Sequence, residues 1–278
     1  MKKNLFYFLL AALCTISFTA CGSDDNGDGE NGGFTELEHV WSLEPTVMYD
    51  ASGNVTTNPD ELATATGSVK VTWDCPEGTS LKLGEGDDAM EMPVASIKQL
   101  VENLGNTQLP NVLKSVEFKS NGQIVAVYKD AATTSIANDG WKTASDYATY
   151  KKVNNNQILV FLNTAKVTEG MEADEKAALT EVIKIFKDGI PVNIRWSANN
   201  TKAYFYIDKA FATSLLDNQT LKAMLDRLGN TDAETNSTVI MIKAIVNSAK
   251  DVMNKTTKFE AGLELDAGSP DISSGLSI

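Results

Sequence analysis

The sequence predicts an α+β domain, an antiparallel sheet with helices on one face. Three observations carry this. Stretches with apolar residues at helical period are separated by shorter stretches that alternate at period two. Asparagine-rich turns join neighbouring alternating stretches, which makes them antiparallel pairs. One strand-and-helix pattern occurs twice in the same order.

Val69 to Trp73 alternates and reads as a strand. Pro93 to Leu104 reads as the first helix, with Ile97, Leu100, Val101 and Leu104 on one face and Gly105 as its stop. A short second helix is expected from Pro110, carrying Val112 and Leu113. Val116 to Tyr128 forms a hairpin about Asn121-Gly122. Tyr147 to Leu162 forms another, turning at Asn154-Asn155-Asn156. Its return strand, Ile158 to Leu162, is apolar on both faces and is expected to be central. A third helix runs from Glu172 to Lys187, with Leu179, Val182, Ile183 and Phe186 in register, and Asp188-Gly189 and Pro191 end it. Val192 to Tyr206 is a hairpin turning at Asn199-Asn200. The fourth helix, Asn218 to Leu228, presents Leu221, Met224, Leu225 and Leu228, with Asp217 as cap. The fifth, Ser237 to Asn254, carries Ile242, Ile245, Val246, Ala249 and Met253 and is apolar enough to be largely buried. Phe259 to Leu265 alternates again.

Ile97 to Thr107 parallels Leu221 to Thr231 at a spacing of 124 residues, and Val69 to Trp73 parallels Val192 to Trp196 at 123. Self-similarity at a nearly fixed offset predicts an internal duplication. The expected repeats are residues 67–163 and 190–266, each a strand-strand-helix-helix-strand unit, with Trp73 equivalent to Trp196 and Gly105 to Gly229. A duplicated unit of curled antiparallel sheet and helix is similar in outline to the tubular lipid-binding fold of the bactericidal/permeability-increasing protein family. That likeness implies an apolar tunnel.

The amino-terminal segment is of another kind. Lys2 and Lys3 precede a nearly wholly apolar run, Leu5 to Phe18, which is short for a membrane span and suited to a signal peptide. It ends Phe18-Thr19-Ala20-Cys21. This resembles the lipobox of bacterial lipoproteins, with Phe18 where leucine is usual. The resemblance implies that residues 1–20 are removed and that Cys21 carries the lipid, and more than one acyl chain makes such an anchor stable. Gly22-Ser23-Asp24-Asp25 is similar to the acidic export signal of Bacteroidota surface lipoproteins. Ser23, Asp24 and Asp25 would then direct the chain to the outer membrane, lipid-anchored and exposed on the cell surface. Residues 21–33 are the lipidated cysteine and an acidic tether. From Gly22 to Gly33, five of twelve residues are glycine and four are acidic, so the stretch cannot bury enough surface to fold. As a flexible coil it reaches roughly 20 Å. Residues 34–278 are the folded region. Asp24, Asn26, Asp28 and Gly29 match the start of a calcium loop, but its closing acid would fall on Thr35 and no helix precedes it, so no metal is expected.

Composition limits the chemistry. The net charge is −13, and removal of two lysines with the signal takes it to about −15, which disfavours nucleic acid and anionic lipid heads as partners. Cys14 leaves with the signal and Cys21 is lipidated, so Cys75 has no disulfide partner. His39 is the only histidine. Two-histidine metal sites are excluded, and a Ser-His-Asp triad would have to use His39 without a GxSxG elbow. A Cys75–His39 dyad is the formal remnant, against a core role for the cysteine. No phosphate-binding glycine loop is present, and no cofactor is expected. Trp41, Trp73, Trp141 and Trp196 are aromatic faces that could stack sugars. Trp73 and Trp196, at equivalent places, read as core, whereas Trp141 follows Asp139-Gly140 in a polar loop and is the candidate ligand-binding residue. Asp87, Asp88 and Glu91, and Glu169, Glu172, Asp174 and Glu175, are carboxylate clusters that a glycoside hydrolase could use and that helix ends also attract. Met90, Met92, Met171, Met224, Met241 and Met253 could line a lipid pocket or fill core gaps. The expected function is a non-catalytic surface lipoprotein that binds a glycan or a partner protein. A carrier of lipid or another apolar ligand is the first alternative and a carboxylate-dependent glycoside hydrolase the second.

Labelled palmitate is expected to enter the native chain and to be lost in Cys21→Ala. Protease added to intact cells is expected to remove the protein; survival until the outer membrane is broken would place the domain on the periplasmic side.

Overall fold

The computed structural model describes residues 36–83, 90–129, 140–171, 173–223, 246 and 248–267. The strands are β1 (Val40–Leu43), β2 (Val47–Tyr49), β3 (Val55–Thr56), β4 (Thr64–Thr66), β5 (Val69–Asp74), β6 (Ser80–Leu83), β7 (Met90–Pro93), β8 (Leu113–Phe118), β9 (Gln123–Lys129), β10 (Trp141–Asn154), β11 (Gln157–Leu162), β12 (Ile190–Trp196), β13 (Lys202–Asp208) and β14 (Lys258–Ala267). The helices are α1 (Val94–Gln108), α2 (Thr164–Val167), α3 (Ala173–Ile185) and α4 (Lys209–Leu216), and residues 219–223 and 248–255 are also helical. The mixed α+β content is as the sequence predicts, but the sheet closes on itself. Strands β1-β8-β9-β10-β11-β12-β13-β14 form an antiparallel barrel, completed by pairing of β14 with β1. Small hairpins β2–β3 and β6–β7 lie outside it, with β4 on the other side of β2.

Alternation decides which residues fill the barrel. Trp41, Phe118, Tyr150, Ile158, Ile194, Ala203, Phe205 and Leu265, one or two residues from each of seven strands, share one core. Trp41 is fully buried and its Nε1 donates to the Leu37 carbonyl at 3.0 Å, so the residues just before β1 are part of the filling. The Phe205 ring stacks on Phe118 at 5.4 Å and meets Trp41 edge-on at 5.4 Å. A second core continues the same alternation: Val71, Trp73 and Phe259, with Leu162, Ile190 and Ala261 partly buried, pack with helix residues instead. Those include Val94 and Ile97 of α1, Leu179, Val182 and Ile183 of α3 and Phe186 after it, Leu215 and Leu216 of α4, and Val246, Ala249, Val252 and Met253.

β14 holds these parts together. One edge pairs with β13 from Glu260 to Asp266. The other pairs with β5 from Lys258 to Leu263 and then with β1 from Leu265 to Ala267. At the fork the Glu264 amide donates to the Ser68 carbonyl at 2.8 Å. Gly262 stands just before it, and a Cβ there would lie 2.0 Å from the Phe205 carbonyl oxygen and 2.6 Å from the Tyr206 Cα. Only glycine lets β13 and β14 come this close.

Among the described residues no strand pairs with the far edge of β5, and α1 supplies partners there. Asn106 accepts from the Val69 amide at 2.7 Å and donates to the Ala65 and Val69 carbonyls, Glu102 accepts from the Val71 amide at 2.9 Å, and Asn103 accepts from the Ala65 amide at 2.7 Å. Polar helix side chains thus cover an edge that would otherwise be open to pairing. Gly105 allows the approach, since a Cβ would meet Val69 at 2.8 Å.

Several sequence expectations are corrected. The second helix is one 3-10 turn, Leu109–Asn111; proline starts it, but Val112 and Leu113 are taken by the barrel ladder, with the Lys129 amide donating to the Val112 carbonyl at 2.8 Å. Asn218 replaces Asp217 as cap, its Oδ1 accepting from the Thr220 and Leu221 amides at 2.9 and 3.1 Å, while Asp217 closes α4 and pairs with Lys250 at 2.5 Å. Trp141 is in β10 rather than a loop, opposite Lys129, and an irregularity between Ala144 and Ala148 hides the strand's early half from a period-two reading. The three hairpin turns fall where expected, with Gly122 and Asn200 at φ +84° and +55°. Trp73 and Trp196 do not share a core: Trp73 packs with the helices and Trp196 with the barrel. Val69–Asp74 is an edge covered by α1, whereas Ile190–Trp196 is paired on both sides. Gly229, and the parts of the fourth and fifth predicted helices at 224–245, lie outside the described residues, as does everything before residue 36.

Gly262→Ala is expected to cost about 3 kcal/mol or more, because the added carbon meets backbone that cannot shift without opening the β13–β14 ladder. Denaturant unfolding measures this; a loss below about 1 kcal/mol, the ordinary effect of a surface change, would mean that the fork is not tight.

Candidate functional site

On β12, β13 and β14 the residues between the core positions point to the outer wall, and Lys70 and Thr72 of β5 extend that face. Register sets Arg195 opposite Tyr204, Tyr204 opposite Glu264, and Gly262 between Tyr206 and Lys70. With no side chain at Gly262, the Tyr204 ring crosses β14 and its hydroxyl donates to the Lys70 carbonyl at 3.1 Å. Tyr204 and Tyr206 stack at 4.9 Å, with their planes 13° apart. The Arg195 guanidinium lies over both rings, 4.9 Å from Tyr206 and 5.7 Å from Tyr204. It also donates two hydrogen bonds, at 3.1 and 2.5 Å, to the buried carboxylate of Glu260, which Lys258 approaches at 3.3 Å.

Two lysines complete the wall. Lys70 lies 3.5 Å from Glu44 and 3.7 Å from Glu264. Lys202 pairs with Glu44 and lies 3.4 Å from Asp266. Glu44 is brought in where the chain leaves β1, its amide donating to Ser68 Oγ at 2.6 Å. Hydrogen bonding to Glu260 raises the Arg195 pKa, and hydrogen bonding to Glu44 raises that of Lys202. Burial is the first cause holding the Tyr204 and Tyr206 phenols above their ordinary range. Between these groups is an open groove of about 320 Å³, lined by Lys70, Thr72, Arg195, Trp196, Ser197, Lys202, Tyr204 and Glu264. The Trp196 ring itself packs on Trp41 at 5.7 Å and its Nε1 donates to the Asn155 carbonyl. The groove therefore offers hydroxyls, ammonium groups, a guanidinium and a carboxylate over a rigid tyrosine floor.

The residues singled out in the sequence fall elsewhere. Trp141 is half-buried at the start of β10 with Lys129 Nζ 6.0 Å from its ring centroid, and it does not line the groove. His39 meets Trp41 of the barrel core edge-on at 6.4 Å, while Cys75 packs against the helical core, so the structure does not bring the dyad together. Glu91 pairs loosely with Lys82 at 3.8 Å, and Glu169 with Lys166 at 3.2 Å. Asp87, Asp88 and Glu172 lie outside the described residues. Met253 is buried, Met92 and Met171 pack on the helical core, Met90 is exposed, and Met224 and Met241 lie outside the described residues. Among the described residues no group of three or more His, Cys, Asp or Glu is placed to hold a metal ion, and no helix is long and apolar enough to cross a membrane. Comparisons with protein-family models, curated proteins and solved structures find no significant match.

The tyrosines predict an alkaline transition. Tyr147 is pushed up to about 12 by burial and a hydrogen bond with Tyr128, and Tyr204 is raised further, chiefly by burial. Unfolded tyrosines ionise near pH 10. Folding therefore favours the neutral phenols: their contribution is whole below about pH 10 and is lost as pH rises through the folded values. Tyrosinate absorbance at about pH 11 is expected to stay below the value for all six tyrosines that follow Cys21 until the chain unfolds. Full ionisation near pH 10 with the far-ultraviolet spectrum intact would contradict the buried ring pair.

Proposed function

We propose that this chain is a non-catalytic lipoprotein, anchored through Cys21 on the outer face of the outer membrane, whose folded part binds a glycan or a partner protein. The observation that carries the binding reading is the outer-wall groove, open to solvent and lined by polar groups that neighbouring ion pairs hold in place. Specific ligand sites place a few oriented polar groups in a concavity, and this wall has that form. A tether of roughly 20 Å would present such a surface without fixing its orientation, which suits capture.

The filled barrel weighs against the carrier alternative. Trp41, Phe118 and Phe205 occupy the space an apolar ligand would need. The hydrolase alternative needs two facing acids, one of them able to give up a proton. Around the groove Glu44, Glu260, Glu264 and Asp266 are each engaged by Lys or Arg. Trp141 remains a proposed accessory contact on the strength of its half-exposed ring. We also propose that the helices form one layer on one face of the sheet, supported by their shared core with Val71, Trp73 and Phe259. The duplication is proposed as ancestry only, supported by the two ordered sequence matches.

Native mass spectrometry of the purified chain tests capture against carriage. Mature protein without stoichiometric lipid beyond its anchor, together with cell-surface ligand binding lost in Arg195→Ala, is expected. Co-purified lipid at one per chain, surviving that substitution, would overturn the reading.

A further inference from the structure

We infer that the groove takes a neutral polyhydroxylated ligand, a glycan without carboxylate, sulfate or phosphate groups. This rests on the groove being the ligand site. Four cations, Lys70, Arg195, Lys202 and Lys258, meet four carboxylates, Glu44, Glu260, Glu264 and Asp266. The site therefore has no excess positive charge with which to attract an anion, and the chain around it carries a net charge of −13. An apolar ligand would have to bury these charges without compensation. A hydroxyl suits them, because it accepts from an ammonium and donates to a carboxylate at once.

The spacing favours this too. Lys70 stands 3.5 and 3.7 Å from its two acids and Lys202 stands 3.4 Å from Asp266, looser than the direct hydrogen bond of about 2.8 Å expected for such a pair. A ligand hydroxyl can bridge such a pair without separating the charges. A zwitterion would have to part them to satisfy its own two ends. The Arg195–Glu260 pair is tight and stacked on Tyr206, so it serves as wall rather than as a flexible contact. Thr72 and Ser197 add hydroxyls at opposite margins, on β5 and just past β12.

The test is a binding panel with the full mature chain in detergent, using neutral oligosaccharides from dextran, xylan and mannan beside polygalacturonate and heparin. Neutral oligosaccharides are expected to bind, with a Kd that changes less than about twofold between about 50 and 500 mM salt, since no ionic attraction is being screened. Thr72→Trp, which fills the groove, and Lys70→Met, which removes one donor at an exposed pair, are each expected to weaken binding about tenfold with the circular-dichroism melt retained. Preferential binding of polygalacturonate or heparin, lost in Thr72→Trp, would overturn the neutral ligand while leaving the groove as the site. Neutral binding unchanged in both variants, or no glycan bound at all, would overturn the groove as a glycan site.

Discussion

Most of the architecture depends on β14 serving two strands along one edge. A closed antiparallel barrel needs its last strand to return to its first, and β14 does this with only three residues, Leu265 to Ala267. The preceding six residues of the same edge are given to β5. The sheet can divide there because Gly262 lets β13 approach closer than any side chain would allow. β5, diverging at the fork, supplies Val71 and Trp73 to a core that the helices complete. Without the fork, α1 would lose the strand edge it covers and the helical core would lose Val71 and Trp73.

The same geometry makes the groove. β5 runs beside β14 outside the barrel circuit, so the outward residues of β12, β13, β14 and β5 form one continuous wall. Gly262 leaves a gap in its middle, and Tyr204 fills the gap by reaching across to the Lys70 carbonyl. An aromatic ring laid over a glycine on the neighbouring strand restores contacts that the glycine gave up. Arg195 then has a flat surface to lie on and Glu260 to orient it. Lys70 and Lys202 meet at Glu44, which lies on the connection between β1 and β2. Barrel closure and the arrangement of the charged wall are thus one feature seen from two sides.

The sequence announces what is local. Asn121-Gly122 and Asn199-Asn200 demand positive φ and mark hairpins at sight, and α1 and α3 follow from their apolar spacing. Only α3 is followed by its expected glycine, Gly189; α1 runs on through Gly105 to Gln108, because Gly105 serves close packing on Val69 rather than termination. It is silent on what is distant. Nothing in Trp41-Ser42-Leu43 says that it pairs with Leu265-Asp266-Ala267, more than 200 residues on, and strands as short as β2 and β3 carry too few residues for a period. The groove is hidden for the same reason. Lys70, Arg195, Tyr204 and Glu264 form no motif, since register alone makes them neighbours. The available signal was the outward half of the alternation: Arg195 between Ile194 and Trp196, and Tyr204 and Tyr206 set among Ala203, Phe205 and Ile207. The Leu-Gly-Asn-Thr stretch at 104–107 has a local task that its sequence does not announce. Gly105 permits close packing on Val69, and Asn106 satisfies a strand edge that Ile190–Trp196 does not have.

An eight-stranded barrel has an interior near the size at which side chains either fill it or leave room for one small ligand. Here Trp41, Phe118 and Phe205 decide for filling, and Leu37 adds to it from outside the strands. An interior packed with interlocked aromatic rings cannot open to admit a guest without losing the contacts that hold its wall. The wall gains what the interior gives up, because strands fixed from within hold their outward side chains at set spacings. Arg195, Tyr204 and Tyr206 stack on strands whose inward neighbours Ile194, Ala203, Phe205 and Ile207 are buried. A wall built this way is ordered in advance, so the weak polar contacts of the ligand we propose would not be offset by conformational loss. The solid core is thus the reason that recognition, if it uses this barrel, is placed on its outside.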